Sequence, residues 1–426
     1  RALLRTVSAR VQMNRACALA LQDVVFSAIV IALMFTGYTS ELMEDLKLRW
    51  ARVQARVRDA GADALVVGGN VNLLYLSGRI FMGHIFMPAE GEPRFFVRRP
   101  AGLAGPNVAT VRKPEQIAEL LAAEAVPAPR SLLLEGDELS HSEWERLAAV
   151  FPGAAVSNGS GLLRRCRAVK TPYEIRVMKK TGARHAEVVA RFASVYESGM
   201  TDQAWSIEMF RLMLRAGSLG LFRVAGGSME AFMGTVLAGD NGGAVSPYDF
   251  ALGGAGLHPS LPVGQNGTVL REGMAVMADV AGNFCGYLTD CARTFAIGRL
   301  APEAVRAHRV SIDIQRALAA AGMPGARCED LYELALRMAE EAGLVACFMG
   351  GAQKAKFVGH GVGLVINELP VLGARSKDVL EAGMCVALEP KFVIPGTGAV
   401  GVEDTFLVTD AGMESLTPCE QEIVTL

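Results

Sequence analysis

The chain has no pair of cysteines at CxxC spacing, no lysine- or arginine-rich block, and no uninterrupted apolar run of the ~20 residues that a spanning helix needs. Each absence removes a class of protein. The eight cysteines (Cys17, Cys166, Cys285, Cys291, Cys328, Cys347, Cys385 and Cys419) are scattered with no framework spacing, so they read as reduced thiols of a cytoplasmic protein. With mixed charges and a formal net charge of -2, nothing marks a nucleic-acid footprint. The composition, 51% hydrophobic and 20% charged, excludes a disordered chain and fits a well-buried α/β protein. At 426 residues, two domains are the natural expectation.

The amino-terminal part disturbs this picture. Several arginines lie within 1–15, and 24–37 (VVFSAIVIALMFTG) is almost wholly apolar, an order found in signal peptides and membrane anchors. The run is short for a span, Asp23 blocks its extension, and no small-residue cleavage site follows. Met43 opens a conventional amphipathic stretch. Residues 1–44 are therefore set apart as an extension, either non-native or an apolar anchoring or docking helix, and a membrane location is not expected.

From Leu46 the pattern becomes regular. Leu46, Trp50, Val53 and Val57 recur at helical spacing and lead into ALVVGG, a run of buried-strand type. NVNLLYLSG and PRFFVRR continue as strands and turns, and 114–123 and 140–150 read as helices around the strand SLLLEG. Residues 45–165 thus form a small α/β domain, with a boundary near Arg164–Lys170. Thr171-Pro172-Tyr173-Glu174 is a capping box with proline at the first helical position, and it opens a helix expected to reach about Val195. A second helix should start near Thr201, and others fill 302–322 and 328–343. The blocks 274–298 and 384–409 read as hairpins within a catalytic domain spanning 166–426.

Those two blocks echo one another. Gly273–Asp279 (GMAVMAD) and Gly383–Glu389 (GMCVALE) share G-M-x-V-x-x-[DE], and each is followed by another acid and a Thr-Phe pair, Thr294-Phe295 and Thr405-Phe406. Two related halves of one domain are the natural reading. With the first turn at Asn283–Gly286, Asp279 faces Asp290 directly, and a turn around Gly396 sets Glu389 against Glu403. Like charges so placed destabilise a sheet unless a cation lies between them. Asp279 and Glu389 follow apolar runs, and buried acids need a partner. No lysine is near enough in sequence to be the obvious one, and Arg293 is one charge for four acids. A pair of divalent ions is the expected partner: Mn²⁺ first, with Co²⁺, Fe²⁺ or Zn²⁺ as alternatives. Two ions ~3.5–4 Å apart would hold a bridging hydroxide and polarise a carbonyl, which is hydrolytic chemistry.

His360 supplies an imidazole from Phe357-Val358-Gly359-His360-Gly361-Val362-Gly363, where glycines permit close backbone approach. His258, in GGAGLHPSLP, precedes the first hairpin and can reach the same cleft. His84, His141, His185 and His308 read as surface or structural residues.

The ordered set Asp279, Asp290, His360 in G-H-G-x-G, Glu389 in L-E-P and Glu403 in V-E-D resembles the pita-bread metallopeptidases, which include methionine aminopeptidase, aminopeptidase P and prolidase. DALVVGGNVNLLYLSG resembles the creatinase/prolidase amino-terminal domain. The resemblance implies an α+β catalytic domain of pita-bread type with an internal pseudo-two-fold repeat, preceded by a smaller α/β domain. It also implies a homodimer and hydrolysis of Xaa-Pro bonds in a peptide or small amide substrate. In this reading all five residues bind metal, Glu389 also shuttles the proton, and His258 steadies the substrate. Three positions depart from the family pattern: Asn367 and Lys356 stand where histidines often occur, and Gly401 where an arginine does. Asn367 can hydrogen-bond a carbonyl but cannot act as an imidazolium acid. The rival readings are a non-peptide C–N hydrolase or lyase and a non-catalytic peptide-binding module. Retention of all five ligand positions argues against both the metal-independent and the binding-module versions.

Overall fold

A computed structural model describes residues 38–224 and 232–426. The apolar run at 24–37 and the arginine-bearing stretch before it lie outside the described residues. No described helix is long and apolar enough to cross a membrane. The chain divides into two compact units, one ending at Cys166 and the other running from Arg167 to Leu426.

The first unit begins with α1 (Ser40–Asp59), where the Thr39 hydroxyl accepts from the Leu42 amide as N-cap. Leu46, Trp50, Val53 and Val57, read from the sequence as one helical face, are all buried. Next come β1 (Ala64–Val67), α2 (Asn70–Ser77), β2 (Met82–Pro88), β3 (Arg94–Arg99) and β4 (Val108–Thr110). They are followed by α3 (Gln116–Ala123), β5 (Ser131–Leu134), α4 (His141–Val150), β6 (Ala155–Asn158) and α5 (Ser160–Ala168). The strands form one mixed sheet in the order β4-β3-β2-β1-β5-β6. One expectation fails here: NVNLLYLS is helix α2, not strand. Its N-terminus is capped from a distance, because the buried Glu135 carboxylate accepts from the Gly68 and Gly69 amides and from the Asn72 side chain. That cap comes from β5's end, some sixty-five residues away in the chain, and no local signal announces it.

The second unit opens with α6 (Pro172–Val189). Its capping box forms as read: Glu174 N–H donates to Thr171 Oγ1 at 3.2 Å, and Thr171 N–H donates to Glu174 Oε2 at 2.8 Å. The helix stops at Val189, short of Val195, and Phe192–Val195 forms a separate 3₁₀ turn. α7 (Asp202–Arg215) starts after Thr201, and β7 (Gly234–Ala238) follows. The first hairpin is β8 (Ala275–Asn283) with β9 (Leu288–Ala296). Helices α8 (Pro302–Ala321) and α9 (Cys328–Glu341) then lead to β10 (Phe357–Gly361) and β11 (Glu368–Gly373). The second hairpin is β12 (Cys385–Leu388), β13 (Lys391–Ile394), β14 (Gly398–Gly401) and β15 (Asp404–Thr409), and β16 (Gly412–Ser415) and β17 (Val424–Thr425) end the chain.

Two sheets result, β17-β9-β8-β7 and β11-β10-β12-β15-β16, with β13 and β14 paired separately. Trp205 and Met209 of α7 pack with Val276 and Phe295 against the first sheet, while Ile314 of α8 and Leu331 of α9 pack with Val386 and Phe406 against the second. The sheets meet where Ala292 and Glu403 exchange backbone hydrogen bonds at 3.2 and 3.1 Å. The candidate ligands converge near that junction.

Candidate metal centre

In the first hairpin the ladder runs unbroken to Asn283 opposite Leu288, so the turn is Phe284–Tyr287. Gly286, at φ +86°, closes it by donating its N–H to Asn283 Oδ1. This shifts the register by two from the expected one. Asp279 pairs with Ala292 and Asp290 with Ala281, so the two aspartates are diagonal neighbours on one face rather than directly opposed. In the second hairpin the expected geometry holds. The register that pairs Leu388 with Asp404 and Lys391 with Gly401 sets Glu389 against Glu403.

The repeat is also present in the hydrogen bonds. Thr405 Oγ1 accepts from the Asp290 N–H at 2.7 Å and donates to the Asp290 carbonyl at 3.0 Å. Thr294 Oγ1 accepts from the Gly401 N–H at 3.0 Å and donates to the Gly401 carbonyl at 2.8 Å. Each half thus uses its echoed threonine to fix the equivalent residue of the other half. Both threonines are fully buried, so these bonds are shielded from water.

His360 enters from β10, paired with Ala387 two residues before Glu389, and so lies on the Glu389 face. The flanking glycines are obligatory. A Cβ at Gly359 would lie 2.3 Å from the Ala387 carbonyl oxygen, and one at Gly361 would lie 2.1 Å from that of Leu369. The ring is nearly buried, with Nδ1 3.1 Å from the Gly361 carbonyl oxygen and Nε2 3.4 Å from Glu389 Oε1 and 3.9 Å from Asp290 Oδ2.

The counter-charge that the sequence reading did not find among the lysines is Lys391. Its fully buried ammonium donates to Asp279 Oδ2 at 2.7 Å, Glu389 Oε2 at 2.7 Å and Glu403 Oε2 at 2.8 Å. The signal was present: two residues after Glu389, a strand side chain falls on the same face. Arg293, weighed as a counter-charge, faces elsewhere. It binds Asp404 at 2.7 Å and the carbonyls of Ala292, Glu403, Cys419 and Glu420. It thereby serves the carboxylate of the Cys291–Asp404–Cys419 cluster.

The five residues therefore form two corners that share Glu403: Asp290–His360–Glu403 and Asp279–Glu389–Glu403, each with one ligand atom per residue within 4.8 Å of the others. Their electrostatics differ. Burial and the Asp279 charge push the Asp290 carboxyl up to about 8, and burial and the Asp290 charge push Glu403 well above the usual carboxylate range. Burial acts on Glu389 too, but Lys391 and His360 outweigh it and hold that carboxyl down to about 2. Burial likewise opposes the charged form of His360, yet Glu389 and Asp290 hold the imidazole up to about 9. Glu403 Oε1 is buried with no hydrogen-bond partner among the described residues. The Asp290–His360–Glu403 corner, with two carboxyl groups crowded together, one imidazole and an orphaned oxygen, fits a divalent cation.

The acids and His360 line a cavity of about 650 Å³, whose apolar wall includes Ile207, Phe210, Phe222 and Phe232. Asn367 lines the same cavity. His258 does not. It is exposed, with Nδ1 held by the Ser260 hydroxyl at 2.8 Å, although Leu261 and Val263 of its loop contribute to the cavity wall. Lys356 is exposed and stands outside the lining, and Gly401 lies across the ladder from Lys391.

Comparison with known proteins places this geometry among relatives. Residues 176–410 match metallopeptidase family M24, and residues 49–169 match the creatinase/prolidase N-terminal domain. The chain is 26% identical over 390 residues to the "Probable dipeptidase PepE" of Mycobacterium tuberculosis, covering 88% of this chain and 95% of that protein. It is 27% identical to an Xaa-Pro dipeptidase of Lactobacillus helveticus, covering 68% of this chain and 71% of that one. The solved Xaa-Pro dipeptidase from Bacillus anthracis superposes with a TM-score of 0.73 at 22% identity, over 89% of this chain and all of the other.

Proposed function

The chain belongs to metallopeptidase family M24, and from that premise we propose that it hydrolyses the peptide bond preceding proline in short peptides. The observation that carries this reading is the convergence of Asp279, Asp290, His360, Glu389 and Glu403 in the lining of a substrate-sized cavity. Both relatives cited by sequence bear dipeptidase names.

Asp290, His360 and Glu403 would hold divalent metal, with Mn²⁺ as the expected ion. When bound, it supplies Lewis-acid polarisation of the scissile carbonyl and a more acidic water. Glu389 takes the proton of the attacking water and returns it to the leaving amine, and Lys391 keeps that carboxylate ionised and ready to accept. Asn367 binds a substrate carbonyl at the cavity wall, and His258 steadies the substrate from the rim loop. The apolar wall formed by Ile207, Phe210 and Phe232 suits a side chain or a proline ring. Activity resides in 166–426, which supplies every residue of the cavity.

A cytoplasmic location is proposed from the thiols, since all seven described cysteines are free. A homodimer is proposed on the family resemblance and is testable by sedimentation. The deciding assay offers the Mn²⁺-loaded protein an Xaa-Pro dipeptide, an Xaa-Pro-Yaa tripeptide and a proline-free control. Cleavage of the dipeptide alone marks a dipeptidase, and of the tripeptide alone an aminopeptidase. Cleavage of neither proline peptide overturns the reading and favours a non-peptide C–N substrate.

A further inference from the structure

Lys391 occupies a position that the proposed metal chemistry makes unusual. An ammonium has three N–H donors and no acceptor. Here all three go to carboxylates, one each to Asp279, Glu389 and Glu403, at 2.7, 2.7 and 2.8 Å. Those three residues are also the ones whose oxygens converge as the second ligand corner. A divalent ion bound by the same oxygens needs contacts of ~2.0–2.2 Å, and so must stand inside the triangle of oxygens that Nζ already fills. Ion and ammonium cannot share that space.

The lysine is not free to swing away. Its backbone is held on both sides, by the β13–β14 ladder opposite Gly401 and by the Met349 N–H donating to its carbonyl at 2.8 Å. Its side chain has no exposed surface. The other corner has no such occupant: Glu403 Oε1 is buried and unpartnered there, and Asp290 has no lysine or arginine within salt-bridge distance among the described residues. The two corners are thus built differently, one closed by a covalently attached cation and one left for a soluble one.

The geometry points to a mononuclear centre: Lys391 stands permanently in place of one of the two ions, and a single divalent cation binds at Asp290, His360 and Glu403. Lys391 is a positioning residue. It fixes Asp279, Glu389 and Glu403 by charge and does not reach substrate. This rests on the metallopeptidase reading of the site, and the two are separable by experiment.

The test is metal content of the full-length protein after equilibrium dialysis against excess Mn²⁺ and, separately, Zn²⁺, joined to electron paramagnetic resonance of the Mn²⁺ form. One ion per chain with the spectrum of an isolated Mn²⁺ is expected for the wild type. Two ions with an exchange-coupled spectrum are expected for Lys391→Ala. Two ions in the wild type, or one in a folded Lys391→Ala protein, overturns the assignment. If Lys391→Ala does not fold, variants that retain the lysine decide. Asp279→Asn should leave the single ion bound, whereas His360→Ala should weaken it by more than the ~10–100-fold seen for groups that merely support a ligand. Equal weakening by both overturns the proposal. A wild type that binds no ion overturns the metallopeptidase reading as well. One bound ion without Xaa-Pro cleavage overturns only the substrate reading and leaves Lys391 as the second cation.

Discussion

In the first hairpin, β8 runs without interruption through Asp279 to Asn283, and every residue from Ala275 onward is paired. In the second, pairing with β15 stops at Leu388, the chain passes Glu389 and Pro390, and a new ladder begins at Lys391. Proline has no N–H to give a ladder, so the break falls where the sequence requires it. The echoed residues make the two halves directly comparable. Asp279 corresponds to Glu389, Ala281 to Lys391, Thr294 to Thr405 and Asp290 to Gly401. One half therefore pairs a small residue with an acid, Ala281 with Asp290, and the other pairs a cation with a glycine, Lys391 with Gly401. A duplicated scaffold has kept its backbone plan and its threonine clasp while distributing charge asymmetrically. The consequence is one corner whose carboxylates share a built-in ammonium and one left incomplete without it.

The comparison can be broken most directly at the incomplete corner. Asp290→Asn is expected to lower kcat/KM for an Xaa-Pro substrate by roughly 10³-fold or more, the scale on which loss of a principal charge-stabilising group is felt. Activity retained within tenfold of wild type would remove Asp290 from the site.

The threonine clasp comes next, because its two copies serve unlike residues. Thr405→Val releases the backbone of Asp290 and should reduce kcat by about 10–100-fold, as loss of a group supporting a ligand does. Thr294→Val releases Gly401, and its expected effect is on stability, about 1–3 kcal/mol from buried polar groups left unpaired. Steady-state kinetics and urea denaturation of both variants measure this. Equal losses of kcat would show that the halves are functionally equivalent.

The remaining contrast concerns pH. His185 of α6 is fully buried against the first hairpin, with Nδ1 3.0 Å from Thr289 Oγ1, and burial lowers its pKa to about 3. An unfolded histidine titrates near ~6.5, so the unfolded chain takes up this proton first. The contribution of His185 is therefore complete above about pH 6.5 and lost as pH falls toward 3, at up to about 1.4 kcal/mol per pH unit. His185→Asn should flatten the fall in urea midpoint between neutral pH and pH 4, and an unchanged slope would assign the acid sensitivity to other groups.

Much of the molecule was legible along the chain because its signals are local. The capping box at Thr171 and the apolar face of α1 each needed only neighbours within one or two turns. The helix at Asn70–Ser77 was misread because eight residues with a continuous apolar stretch suit either structure, and its cap comes from Glu135. The register of the first hairpin was misplaced by two because the turn could be centred at Phe284/Cys285 or one residue later. Only the Asn283 bond to Gly286 within the folded turn chooses between them.

The sequence by itself singled out the side chains that converge at the candidate metal centre. Four acids and one histidine stand out because charged groups at the ends of buried strands and an imidazole between glycines have few other uses. Tertiary structure alone decided how those charges are compensated. Asp279 lies 112 residues before Lys391, and Glu403 lies 12 after it. They share one ammonium only because two separate hairpins meet at Ala292 and Glu403. Burial at that junction makes each charge demand a partner, and the fold brings to Asp279 an ammonium that only Glu389 and Glu403 have near them in sequence.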